Sequence, residues 1–502
     1  MLLVFVLLIG SAFLPAFTQT PQPQPENALA SARQLFNQGK FTEAAAAYRS
    51  SSQKDPASFA ARAGLVQSYL KADDVKAAEE ASLQALTALP QSALIHAVRG
   101  DVYFRQGLLV EAANEYKAAL KLDEKCARAW LGIGKMDATT AHTTRAKEAF
   151  AKAHDLDPHN EDGDVLYRWA VTLPYPKNVE QLEHYIAEFH FDPDQERRNR
   201  EYLDLVKALA GRSVWVPAKQ VGHAEMKIEP IIPEPHRMAG YGIKASLNGK
   251  ATAMLLLDTG ASWATITKKL ADKVGARKLS EQALEGTGGS ASSASYLAWV
   301  DKFTIGDAEF HDCIVHVSPQ NDVAGADGLL GTEIFDHNLV TLDINGRHLV
   351  LDPLPEPPRD LFPEVQPYSP QKIGARQLFQ LGHLLLVPAD VNHKALGFFV
   401  LDTGSNATAL SLPMAEKSAN VRAGKMQVRG IGGASSDNAV AENAMLQFSG
   451  IPEKPQDLVT TDLHPLSKNL GIEVSGIIGF PSLSKIKVTI DYRDGWVEFE
   501  SH

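Results

Sequence analysis

The feature that most constrains this chain is an internal duplication in its C-terminal half. An apolar run, Met254-Leu-Leu-Leu, ends in Asp258-Thr259-Gly260, and a second, Phe398-Phe-Val-Leu, ends in Asp402-Thr403-Gly404. Twenty-eight residues after each aspartate comes a glycine-rich stretch, Gly286-Thr287-Gly288-Gly289 in the first copy and Gly430-Ile431-Gly432-Gly433 in the second. Gly328-Leu-Leu-Gly331 and Gly476-Ile-Ile-Gly479 follow in order, and then Val340-Thr-Leu-Asp343 and Val488-Thr-Ile-Asp491. A shared order of motifs at near-constant spacing describes one domain present twice. From about Ser213 the chain is rich in β-branched residues, Gly and Pro, so both copies are expected to be all-β. Between them, Pro353 to Pro370 contains seven prolines, which makes a stiff extended connector.

The N-terminal half carries a different regularity. Ala44, Ala78, Ala112 and Ala146 recur every 34 residues. Tyr48, Tyr116 and Phe150 share one register, with Ser82 as the exception, and Gly100 and Gly134 share another. Small residues at this period are needed where two helices of a hairpin cross closely, and Pro56 and Pro90 fall where second helices end. The pattern resembles the tetratricopeptide repeat, with four units over residues 25–160. That resemblance implies stacked helix hairpins with a concave face suited to a peptide or a protein partner. Residues 161–212 read as a helical cap.

The duplicated half also resembles a known family. Each copy is similar to a lobe of a retropepsin-type aspartic protease, a kind also found among bacterial exported proteins, and the tandem arrangement resembles the bilobal plan of pepsin. The resemblance implies that Asp258 and Asp402 are the catalytic carboxylates. Thr259, Gly260, Thr403, Gly404 and Ser405 would support their loops. Gly286 to Gly289 and Gly430 to Gly433 would form flaps over a polypeptide substrate. It implies no cofactor and no metal. Physical chemistry agrees: two carboxylates about 3 Å apart share one proton, so one can act as base and the other as acid. Ala261 follows the first Asp-Thr-Gly and Ser405 the second. The Ser405 hydroxyl is therefore expected to donate to Asp402, leaving the shared proton on Asp258. Asp343 and Asp491 stand beside turn residues and read as hairpin chemistry.

The expected architecture is multidomain: an all-α solenoid of tetratricopeptide repeats followed by two all-β aspartic protease lobes, over 226–352 and 373–502, with the linker at 353–372. Three function readings follow. The first is an endopeptidase with its dyad within one chain. The second is an enzyme that pairs lobes between chains, and the third a repeat-based adaptor that only binds peptides. A formal net charge of −11 gives no nucleic-acid footprint. No His-Glu-x-x-His and no Gly-x-x-x-x-Gly-Lys occurs. Gly286-x-Gly288 does not sit between a strand and a helix, which argues against a dinucleotide loop. His311, Cys313 and His316 lack metal-ligand spacing. Cys126 and Cys313 fall in different domains and read as buried small hydrophobes. Leu2 to Phe17 is apolar and uncharged, and residues 1–20 read as a secretory signal that sends the protein to the periplasm or outside. A membrane anchor is the reading if the segment is not cleaved.

Overall fold

The computed structural model describes residues 25–501, apart from 234, 236–237, 283–294, 321–322, 324, 357–374, 425–427, 431–432, 436–438 and 449. The expected signal segment and most of the proline-rich linker lie outside the described residues. Among the described residues, eleven helices precede the sheets, and no helix is long and apolar enough to cross a membrane.

Eight helices form four hairpins: α1 (Pro25–Asn37) with α2 (Phe41–Lys54), α3 (Phe59–Lys71) with α4 (Val75–Ala88), α5 (Ala93–Arg105) with α6 (Leu109–Leu122), and α7 (Ala127–Thr139) with α8 (Thr143–Asp155). The four periodic alanines are buried at the helix crossings. The aromatic register has a steric partner. Tyr48 lies on Gly64, Tyr116 on both Gly100 and Gly132, and Phe150 on Gly134, so that a Cβ on Gly132 would stand 2.2 Å from Tyr116 Cε1. Where the register carries Ser82 instead, the residues 16 positions before and after it are Val66 and Val98, both fully buried. Volume is exchanged between facing helices, large against none and small against medium, as close packing demands. The Ser82 hydroxyl also accepts from the buried Arg99 guanidinium at 2.8 Å.

Three further helices follow: α9 (Gly163–Ala170), α10 (Lys177–Glu188) and α11 (Pro193–Leu209). The segment that begins this part runs back along the first helices of the hairpins. Glu161 pairs with Arg33 of α1 at 2.6 Å, and Asp164 pairs with Lys71 of α3 at 2.5 Å and Arg128 of α7 at 3.1 Å. Arg128 also binds Asp101 of α5 at 2.6 Å and Asp162 at 2.7 Å. Beyond α10, the His190 N–H reaches the Asn37 carbonyl at 2.8 Å. The chain thus lays its own residues across the inner side of the stacked hairpins.

Two similar β lobes follow. In the first, strand Ala251–Leu257 leads into Asp258 and pairs in parallel with Gly328–Leu330, which is antiparallel to Ala264–Thr267. In the second, Ala395–Asp402 pairs in parallel with Gly476–Gly479, which is antiparallel to Ala409–Ser411. The repeated Gly-x-x-Gly is required by this threading. A Cβ on Gly328 would lie 2.0 Å from the Thr265 carbonyl oxygen, and one on Gly479 would lie 2.2 Å from that of Ala407. The lobes share a six-stranded sheet, in which Asn338–Asp343 of the first pairs antiparallel with Ile486–Asp491 of the second. Thr341 and Thr489 meet there at 3.0 Å between hydroxyl oxygens. Asp343 and Asp491 accept the N–H of Gly346 and Asp494 in the adjoining turns. Val216–Pro217 and Ala224–Lys227 also join these sheets, so β structure begins before residue 226.

The helices touch both lobes. The α5–α6 corner meets the second lobe: the Glu473 N–H donates to the Arg105 carbonyl at 2.9 Å, and Phe104, Leu109 and Met136 share a buried cluster with Phe379, Leu386, Phe398 and Val474. On the other side, Leu205 of α11 packs with Leu297, Trp299 and Ile314 of the first lobe.

The glycine–aromatic exchange makes a stability prediction. Gly132→Ala is expected to destabilise the protein by about 1–3 kcal/mol through overpacking. That cost should shrink in the Tyr116→Ala background, as thermal unfolding of the double-mutant cycle will show.

Candidate active site

The two Asp-Thr-Gly loops meet where the lobes join, each at the end of a buried strand. The threonines are interlocked. The Thr259 hydroxyl donates to the Leu401 carbonyl at 2.8 Å and accepts the Thr403 N–H at 3.0 Å. Reciprocally, the Thr403 hydroxyl donates to the Leu257 carbonyl at 2.9 Å and accepts the Thr259 N–H at 3.1 Å. Both threonines are buried at 4 % exposure, so these four backbone groups have no solvent to turn to.

The interlock brings Asp258 and Asp402 face to face across the glycines of the two loops. A Cβ on Gly260 would lie 3.1 Å from Asp402 Oδ1 and 3.2 Å from Asp258 Oδ1, and one on Gly404 would lie 2.4 Å from Asp258 Oδ2. Only glycine fits between these carboxyls. Asp258 Oδ1 accepts the Gly260 N–H at 2.8 Å, and Asp402 Oδ1 accepts the N–H groups of both Gly404 and Ser405 at 2.9 Å.

Burial, and then the facing Asp402, push Asp258 well above the usual carboxylate range. Burial also raises Asp402, but the facing Asp258 and the N–H groups of Ser405 and Gly404 oppose it. With two N–H donors against one, the surroundings favour the charged form on Asp402 over Asp258. The Ser405 hydroxyl, expected to donate to Asp402, does not do so. The Ser405 hydroxyl donates to the Ala407 carbonyl at 2.9 Å, closing its own turn, and it is the Ser405 backbone N–H that supports Asp402.

Of the flap residues, Gly430 and Gly433 pair across a short hairpin formed by Val428–Gly430 and Gly433–Ser435. Ile431 and Gly432, and Gly286, Thr287, Gly288 and Gly289 of the first copy, lie outside the described residues. His311 turns to Glu309, Cys313 is buried in the core, and no metal-binding group of side chains occurs among the described residues.

Three ionisable side chains that sequence reasoning did not connect with the site surround the loop after Asp258. His383 of the second lobe reaches across to the Gly260 carbonyl at 3.1 Å from Nε2. His316 meets the Ser262 hydroxyl at 3.2 Å, and its ring stacks on Trp263 with centroids 5.9 Å apart. Glu333, just past Gly331, accepts the Trp263 N–H. Burial pushes Glu333 up to about 8 and His316 down to about 4. The one available sequence signal for Glu333 was a charged residue set inside an otherwise apolar Gly-Leu-Leu-Gly-Thr-Glu-Ile-Phe run.

Comparison with known proteins agrees with both halves. Residues 243–334 match the aspartyl protease family, and residues 35–102 and 97–161 match two tetratricopeptide repeat families. The helical region thus resembles tetratricopeptide repeats, and most of the first β lobe resembles the aspartyl protease family. A similar solved structure is the aspartic proteinase from Irpex lacteus, 10 % identical, matching over 56 % of this chain and 97 % of that one with a TM-score of 0.34. No curated protein matches the sequence.

Two hydroxyls of the second loop predict opposite sensitivities. Thr403→Val removes an acceptor and a donor, so it should cost about 1–3 kcal/mol for each group left unpaired and show as a lower Tm. Ser405→Ala keeps the N–H that Asp402 uses and should leave the acidic limb of the pH–rate profile in place.

Proposed function

We propose that the chain is an aspartic endopeptidase whose dyad lies within one polypeptide. The observation that carries this reading is the pair of facing carboxyls, Asp258 buried and Asp402 half-buried, held by interlocked threonines from two lobes. Asp402, the member with more N–H donors, takes a proton from a water that attacks the scissile carbonyl. Asp258 gives its proton to the developing oxyanion. No covalent intermediate is required.

For the helical region we propose a buttress. Its α5–α6 corner and α11 bear on different lobes, which fixes the angle at which the two loops face each other. The inner side of the hairpins, the expected site for a partner, is met by residues 161–191. A substrate or partner protein recruited by the repeats is the rival outcome. We further propose that the apolar N-terminal segment directs export.

Cleavage of a denatured proteome across pH 3 to 8, blocked by a statine-type peptide, tests the activity. Asp258→Asn and Asp402→Asn are each expected to abolish it, whereas unchanged peptide binding by a wild-type protein that never cleaves would support an adaptor. The raised proton affinity of Asp258 also predicts a stability effect. A carboxyl that holds its proton more tightly when folded loses folding stability as pH rises above the unfolded value. Asp258→Asn should therefore raise Tm at pH 7 and have little effect at pH 3. Deleting the repeats should lower kcat for a short peptide if they are a buttress, and raise KM for protein substrates alone if they recruit.

A further inference from the structure

The loop following Asp258 contains an unusual residue. Trp263 has a φ of +50°, a left-handed conformation that a bulky side chain rarely adopts. Its counterpart at the same distance after Asp402 is Ala407, which is not left-handed. Strain of this kind persists only where neighbours over-determine it. Here both backbone groups of Trp263 are held by one short stretch: the Gly331 N–H donates to its carbonyl at 2.6 Å, and the Glu333 carboxyl accepts its N–H. The second lobe has no equivalent carboxyl, because Pro481 stands at the position of Glu333. There the loop is held by hydroxyls, with Ser405 on the Ala407 carbonyl and Thr408 on both Ser482 and the Gly479 N–H.

We propose that Glu333 is a positioning residue of the dyad: its carboxyl holds Trp263 in the left-handed conformation and so fixes Ala261, Ser262 and Trp263 beside Asp258. This rests on the endopeptidase reading given above. The groups that face Glu333 are Asp258 at the end of its strand, Asp336 on the same turn and Tyr492, whose hydroxyl bonds Thr332. His316 stacks on the far side of Trp263, and His383 holds Gly260 from the second lobe. The groups that act on Glu333 include no cation, and burial keeps its acid form through the acidic range. Once ionised, its charge adds to that of Asp402 in holding the proton on Asp258.

The test compares Glu333→Ala with Glu333→Gln. Gln keeps an oxygen that can accept the Trp263 N–H, so kcat at acid pH should stay within about twofold of wild type. Ala leaves that N–H unpaired and frees the loop, so kcat should fall roughly 10- to 100-fold, the range for a small misplacement near reacting groups. Amide hydrogen exchange at 261–263 should quicken in Ala and not in Gln, a readout that needs no activity. Gln should also move the alkaline limb of kcat/KM to lower pH, because Asp258 loses the neighbour that helps it keep its proton. The proposal is overturned if Ala retains wild-type kcat and exchange, or if Gln is as damaging as Ala. An alkaline limb that stays in place in Gln overturns the electrostatic part. Loss of cleavage in Asp258→Asn with wild-type exchange at 261–263 keeps the endopeptidase reading separate from either result.

Discussion

The reciprocal hydrogen bonds of Thr259 and Thr403 are the constraint on which the rest of the site depends. Each hydroxyl spans to the other loop, donating to one carbonyl and accepting one N–H. In a low-dielectric interior such a network is favourable only when complete. A single lobe would leave one N–H and one carbonyl of its buried loop without these partners. This gives a physical reason for the duplication: the second copy supplies the partners that the first cannot supply for itself. The shared six-stranded sheet and the helices that bear on both lobes hold the geometry that the threonines demand.

Within that near-symmetric frame the surroundings of the two aspartates differ. Both backbones turn alike, and both use glycine where a Cβ would strike the opposite carboxyl. Past the glycine the copies part. The second loop is closed by short hydroxyl-bearing side chains that do not titrate in the working range. The first is held by Glu333, His316 and His383, of which His316 is buried and the other two half-buried, all shifted toward their neutral forms. One proton shared between two carboxyls needs an inequality to settle it. Here Asp402 accepts two N–H groups and Asp258 one.

The helical region follows a different logic, in which shape outweighs charge. Its aromatic and glycine registers are two halves of one packing rule, and Ser82 with its flanking valines shows the rule operating in reverse. The ion pairs of Arg128 join α5 and α7 of adjacent hairpins to the start of α9, where each charge is matched by another. Such pairs add little net stability compared with apolar packing, but they set register and penalise any other arrangement.

Much of this was legible in the amino-acid order. The 34-residue period named the hairpins, and the repeated Asp-Thr-Gly, glycine-rich and Gly-x-x-Gly motifs named two β lobes with one aspartate each. Those features are local: helix crossings and threaded strands admit few residue types, so spacing alone exposes them. The partner of a side chain is not local. Nothing in the order of residues says that the Ser405 hydroxyl turns to Ala407 while its N–H serves Asp402, or that His383 reaches the Gly260 carbonyl in the other lobe. It is equally silent on residues 161–191 lying along the inner side of the hairpins, and on Glu333 holding a left-handed Trp263. Sequence determined which groups the protein owns and on which elements they stand. The tertiary structure decided which hydrogen bonds they make, because each donor and acceptor has several possible partners until packing removes the water and leaves one within reach.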